Sequence, residues 1–135
     1  MRARLLVACV LAAPLLAWGD LEPGLWQLSV ATSVAGAGQL SSTTSSQCLS
    51  AADARDPSRV FGGSNPACTF SDRRDSGGEL SFNVSCGGAV PVRGSGRVRY
   101  GRDTLEAEMQ LSGDAGGQKF ATTSSISGRR TGPCQ

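Results

Sequence analysis

Residues 92–111 read VRGSGRVRYGRDTLEAEMQL. Setting Tyr100 opposite Leu105 across the Gly101-Arg102-Asp103 turn brings Val98 against Ala107, Gly96 against Met109 and Gly94 against Leu111. All of these lie on one side, because strand side chains alternate with period two. On the other side Arg99 faces Glu106 and Arg97 faces Glu108. One register thus gives an apolar face and two opposite-charge pairs. Each pair contributes only a few tenths of a kcal/mol. A slip by one residue would turn the whole apolar set to solvent, so two agreeing patterns specify an antiparallel hairpin. Gly94 and Gly96 inside a strand predict a sharp bend of the sheet.

The same reading extends to both sides of this hairpin. Cys68–Asp72 and Leu80–Cys86 flank Asp75-Ser76-Gly77-Gly78, a strong turn signal. With Cys68 facing Cys86, Phe70 faces Val84 and Asp72 faces Phe82, which places the apolar residues and both cysteines on one side. Downstream, Gly113–Gly117 turns the chain, and Phe120–Gly128 forms a last strand. Phe120, Thr122, Ser124 and Ile126 are expected opposite Leu111, Met109, Ala107 and Leu105. Upstream, Leu25–Val34 alternates, with Trp26, Leu28 and Val30 on one side. Ala35-Gly36-Ala37-Gly38 is a turn, and Gln39–Cys48 is a Ser/Thr-rich strand. Ser50–Asp56 carries the helix signal, with Ser50 as N-cap and Pro57 ending it; Gly62–Pro66 is a loop. The expected fold is all-β. It is an antiparallel up-and-down meander of about seven strands with one short helix, forming a curled sheet or small open barrel. A sandwich is the alternative.

Arg2 and Arg4 precede an apolar run from Leu5 to Leu16, followed by Ala17-Trp18-Gly19. This is the pattern of a signal peptide over residues 1–19, leaving one domain over 20–135. The run is shorter than the ~20 apolar residues that cross a bilayer, so no membrane span is expected after cleavage. Cys9 belongs to the discarded run, with a lipoprotein box as the lesser reading. Of 13 basic residues two lie in the leader, so the mature chain carries 11 against 11 acids. That balance gives no support to nucleic-acid binding. The chain has no histidine, which excludes a Ser-His-Asp triad, a Cys-His dyad and a histidine-ligated zinc site.

Cys48, Cys68, Cys86 and Cys134 remain after Cys9 is removed. An even count in a small exported domain reads as disulfides. The hairpin register selects Cys68–Cys86 and leaves Cys48–Cys134. No C-x-x-C occurs, which disfavours a zinc or redox site, and no metal or cofactor is expected.

Pro23-Gly24-Leu25-Trp26, Gln47-Cys48-Leu49, the Cys68/Cys86 bracket and the closing Gly128-Arg129-Arg130-Thr131-Gly132-Pro133-Cys134 form a recognisable combination. It resembles the bacterial exported family called domain of unknown function 3617, over essentially the whole mature chain. The resemblance implies a periplasmic β-domain and supplies no catalytic residue.

Possible ligand or anion contacts are Trp26, Arg129 and Arg130. Trp26 is also what a strand core requires. The numerous arginines, among them Arg73, Arg74, Arg93, Arg97 and Arg99, read either as an anion patch or as a solvated face paired with Glu106 and Glu108. Ser42, Thr44, Ser46, Thr122 and Ser124 would make a partly polar interior if their strands face inward. Asp103, Glu106 and Glu108 do not specify an acid–base pair. Gly94-Ser95-Gly96 matches a phosphate loop in composition only, since no helix follows it. The expectation is a periplasmic or secreted, non-enzymatic module that binds a small ligand or an envelope protein. The alternatives are an envelope enzyme using carboxylates or serines, and a structural subunit of an envelope assembly.

Overall fold

A computed structural model describes residues 20–61 and 66–135. The expected leader with Cys9, and residues 62–65 of the expected loop, lie outside the described residues. The described residues form seven strands: β1 (Gly24–Val34), β2 (Gly38–Leu49), β3 (Cys68–Asp75), β4 (Glu79–Cys86), β5 (Val92–Tyr100), β6 (Thr104–Ala115) and β7 (Gln118–Gly132). All neighbours pair antiparallel in one sheet of order β2-β1-β7-β6-β5-β4-β3. Strands β3 to β7 are a simple meander. The first hairpin then docks on the last strand, β1 against β7. The sheet stays open, with β2 and β3 as its edges; no second sheet forms among the described residues, so the sandwich is not adopted.

The β5/β6 hairpin has the expected register throughout, from Tyr100 opposite Leu105 to Gly94 opposite Leu111. Its glycines allow close approach. A Cβ on Gly94 would meet the Gln110 carbonyl oxygen at 1.7 Å, and one on Gly96 would meet the Phe82 ring at 2.5 Å. The β4/β5 neighbours place Phe82 opposite Gly96, so the ring occupies the space that the missing side chain leaves.

Two registers differ from expectation. In β3/β4, Cys68 faces Cys86 and Phe70 faces Val84, but the register shifts between Ser71 and Arg74. Asp72 therefore does not sit opposite Phe82. It takes a φ of 50°, and its carboxylate accepts a hydrogen bond from Asn83 Nδ2 at 2.8 Å. The bulge releases Arg73 to reach across to the β2–β3 connection. In β6/β7 the expected faces are correct but the register slides by two residues. Leu111 pairs with Thr122, Met109 with Ser124 and Ala107 with Ile126. The chain reverses later than Gly113, at Gly116-Gly117, both with positive φ. Gly113 remains in the strand opposite Phe120, whose ring packs over it.

The connection from β2 to β3 runs from one edge of the sheet to the other. It contains α1 (Ala51–Arg55) and a 3-10 helix (Pro57–Phe61). The Ser50 hydroxyl caps the Asp53 N–H at 3.2 Å, and the Ser50 N–H donates to the Asp53 carboxylate at 3.0 Å. Hydrogen bonding from the Ser50 backbone, opposed by partial burial, holds the Asp53 carboxyl below its usual range. Pro57 ends α1, and the chain continues as the 3-10 turn. Arg73 then ties this turn to the β3 edge, with Nη2 2.7 Å from Asp56 Oδ1 and Nη1 3.1 Å from the hydroxyl of buried Ser58. The open side of the sheet is thus bridged by a helical connection rather than by a strand ladder.

The core lies under that connection. It comprises Leu21, Trp26, Leu28, Leu49 and Ala54 with Leu80, Phe82, Val84, Val98, Tyr100 and Leu105. Trp26 is 0% exposed, and its indole N–H donates to the Glu22 carbonyl at 3.0 Å. At about 25 cal/mol per Å², burying a side chain of this size is worth on the order of 5 kcal/mol against an extended chain. Two disulfides fasten the frame. Cys68–Cys86 joins β3 to β4, with Cα atoms 3.9 Å apart, and Cys48–Cys134 joins β2 to the chain end, with Cα atoms 5.6 Å apart.

Candidate binding groove

The face of the sheet opposite the core is polar along every strand. From β4 to β6, successive rows read Glu79, Arg99, Glu106; then Ser81, Arg97, Glu108; then Asn83, Ser95, Gln110. All of these except Glu79, with Asp72 and Arg74 from the β3 edge, line a groove of about 790 Å³. The core-facing residues Gly96 and Ala107 border it through the sheet.

The charges are not paired as the sequence suggests. Arg97 and Arg99 do face Glu108 and Glu106 in register, yet both guanidinium groups turn to Glu79 on β4. Arg99 Nε lies 3.2 Å from one Glu79 oxygen and Arg97 Nε 3.6 Å from the other. Glu79 sits directly across from Arg99 and one step diagonally from Arg97, so one carboxylate serves both. Both arginine side chains are more than 60% exposed, and ion pairs this wet contribute a few tenths of a kcal/mol at most. Glu108 accepts a hydrogen bond from Gln110 Nε2 at 3.2 Å. The groove therefore offers guanidinium forks, amide groups and carboxylates side by side. Such a lining matches a ligand that carries both hydrogen-bond acceptors and donors.

Arg74, Arg97, Arg99, Glu106 and Glu108, named in the sequence, line this groove, whereas the proposed contacts Trp26, Arg129 and Arg130 lie elsewhere. Trp26 is enclosed in the core. Arg130 turns to the N-terminal segment: its Nε donates to the Pro23 carbonyl at 3.0 Å and its Nη2 lies 4.0 Å from Glu22. It packs so tightly over Gly24 that a Cβ there would lie 2.6 Å from Nε. Arg129 is exposed, opposite Gln27 and Thr104 on the polar face. The two arginines thus point to opposite sides of β7. Ser42, Thr44 and Ser46 are exposed opposite Ala31, Ser29 and Gln27. Thr122 and Ser124 lie half-buried on the other face, where Ser124 Oγ is 3.1 Å from Thr32 Oγ1. The hydroxyls therefore divide between the two faces. Glu79, Asn83 and Gln110 were not singled out in the sequence. The alternation of β4 and β6 marks them as outward, but only the three-dimensional rows bring them together.

The core carries one further polar contact. The buried Tyr100 hydroxyl donates to both Asp75 oxygens at 3.1 and 3.2 Å. Burial, reinforced by that hydrogen bond and the carboxylate charge, pushes the phenol pKa upward.

The fold and groove define a disulfide-fastened, single-sheet β-domain with one apolar and one polar face. The family model described as Protein of unknown function (DUF3617) matches residues 21–134, and the chain belongs to that family. No curated protein and no solved structure matches the chain. Two disulfides fit an oxidising compartment. Among the described residues no helix is long and apolar enough to cross a membrane.

Proposed function

We propose that this protein is an exported, periplasmic binding module that holds a small polar ligand in the groove across β3 to β6 without transforming it. The carrying observation is the lining of that groove. Arg74, Arg97 and Arg99 stand beside Glu106, Glu108 and Gln110 on a rigid antiparallel floor. Rigid elements present such side chains at low ordering cost. The charged leader pattern and the two disulfides support export. Glu106 and Glu108 also motivate the rival reading, an envelope enzyme acting through carboxylates.

Native mass spectrometry of the mature protein, purified from an oxidising periplasm, tests the proposal. The expected result is a small bound mass that is lost in Arg97→Ala and retained in Trp26→Phe. A bare protein under gentle conditions, or a bound mass indifferent to Arg97, overturns the groove assignment. Turnover of envelope sugars or esters that disappears in Glu106→Ala or Glu108→Ala would favour the enzyme.

A further inference from the structure

We infer that the free edge of β2 is a self-association surface, through which two copies of this chain join antiparallel, β2 to β2, into one continuous sheet. The two edges of the sheet are treated differently. On β3, Asp72, Arg73, Arg74 and Asp75 crowd the strand, a bulge interrupts it, and Arg73 ties it to the helical connection. Bulges, charges and covering segments are the devices that keep an edge from pairing. Among the described residues β2 lacks the charges and the cover and pairs only with β1, and Gly38–Cys48 are all exposed. No charged residue and no proline occurs between Pro23 and Asp53. Its one irregularity lies at Leu40; from Ser41 to Leu49 the register is unbroken, and Cys48 is fastened to Cys134. Among the described residues the edge is therefore regular from Ser41 to Leu49 and open along its outer backbone groups.

The chemistry of the edge selects a second copy as occupant. Residues 41–46 read SSTTSS, so every side chain of the stretch carries a hydroxyl that both donates and accepts. Antiparallel pairing about a two-fold axis normal to the sheet puts same-face residues opposite one another. With Thr44 on the axis, Thr43 meets Ser45 and Ser42 meets Ser46, so hydroxyls face hydroxyls and no charge is opposed. Leu40, at 63% the most exposed large apolar residue described, ends the regular stretch on the side toward Cys48 of the other copy, whose bridge to Cys134 is itself exposed.

Sedimentation analysis of the mature, oxidised protein across a concentration series tests this. The wild type is expected to show a monomer–dimer equilibrium. Ser42→Lys/Thr44→Lys and Ser42→Glu/Thr44→Glu, both at exposed positions, should each be monomeric at the top concentration. An equimolar mixture of the two variants should restore a dimer of twice the monomer mass. A wild type that is monomeric throughout overturns the inference, as does a dimer that either charged variant retains. Strand addition by an extended segment of another protein to a monomeric wild type would likewise replace the second copy as occupant.

Discussion

Adding one methyl group at Gly94 should damage this fold more than adding one at Gly96, although both glycines lie on the core side of β5. Glycine to alanine in a strand ordinarily stabilises, by about 0.5–1 kcal/mol, through reduced freedom of the unfolded chain. Here the sign reverses. At Gly94 the new carbon would lie 1.7 Å from the Gln110 carbonyl oxygen, 2.8 Å from its carbon and 3.0 Å from Leu111 Cα. An ordinary carbon–oxygen approach is about 3.3 Å, so β5 and β6 must part by roughly 1.5 Å. The obstacle is backbone and cannot rotate away. Parting the strands sacrifices about two ladder hydrogen bonds at about 1 kcal/mol each, plus overpacking strain, for a total of about 3–5 kcal/mol. At Gly96 the nearest atoms belong to the Phe82 ring, at 2.5–3.2 Å. A ring can tilt, and the expected cost is about 1–3 kcal/mol. Urea unfolding of residues 20–135 followed by fluorescence measures both, since Trp26 is the only tryptophan after residue 19. A Gly94→Ala loss below about 1 kcal/mol, or smaller than that of Gly96→Ala, would refute the reasoning.

The disulfides should also rank. Loop closure over 86 residues for Cys48–Cys134 and 18 for Cys68–Cys86 gives about 4.6 and 3.2 kcal/mol in the chain-entropy model. Cys48→Ser/Cys134→Ser should therefore melt below Cys68→Ser/Cys86→Ser; the opposite order would show that strain or packing outweighs chain entropy. Burial raises the Asp56 carboxyl, but hydrogen bonds from Arg73 and Ser58 and the Arg73 charge outweigh it, so its folded pKa lies below the unfolded 3.8. Its stabilisation is present above the unfolded pKa and is lost as pH falls through the folded one. Arg73→Ala should flatten the acid side of the stability curve below about pH 4, and an unchanged curve would count against the clamp. Tyr100 shifts the other way, mainly through burial and then through Asp75. Its contribution is complete below pH 10.0 and is lost as pH rises through the higher folded value. Phenolate absorbance of this sole tyrosine should rise at higher pH in native than in unfolded protein; coincident titrations would contradict the buried hydrogen bond.

Much of this fold was legible because several strands carry two independent patterns. In β5 and β6 the apolar alternation and the charge alternation admit one register, and the structure has it. The cysteines act as a third pattern in β3 and β4. Where a strand offers only one weak pattern, the register is lost. β7 alternates Thr and Ser with few apolar residues, so a shift of two preserves its faces, and only the Gly116-Gly117 turn decides between registers. The bulge at Asp72 was hidden for a different reason: its partners, Asp56 and Ser58, belong to a connection distant in sequence. The docking of β1 on β7 is likewise a contact between the two ends of the chain. The groove was the least legible part. Its residues alternate correctly outward, but Glu79 draws both arginines to β4, a diagonal preference that twist and side-chain reach decide and strand spacing does not.

Amide chemical shifts offer the most direct test of the central claim, that the polar groove is a ligand site. The mature protein, stripped of bound material, would be mixed with the small polar fraction of a periplasmic extract. The account predicts changes that concentrate at Ser81, Asn83, Ser95, Arg97, Glu106 and Glu108, while Trp26 and Leu49 stay fixed. Changes centred on the core side of the sheet, or none at any concentration of the extract, would contradict it.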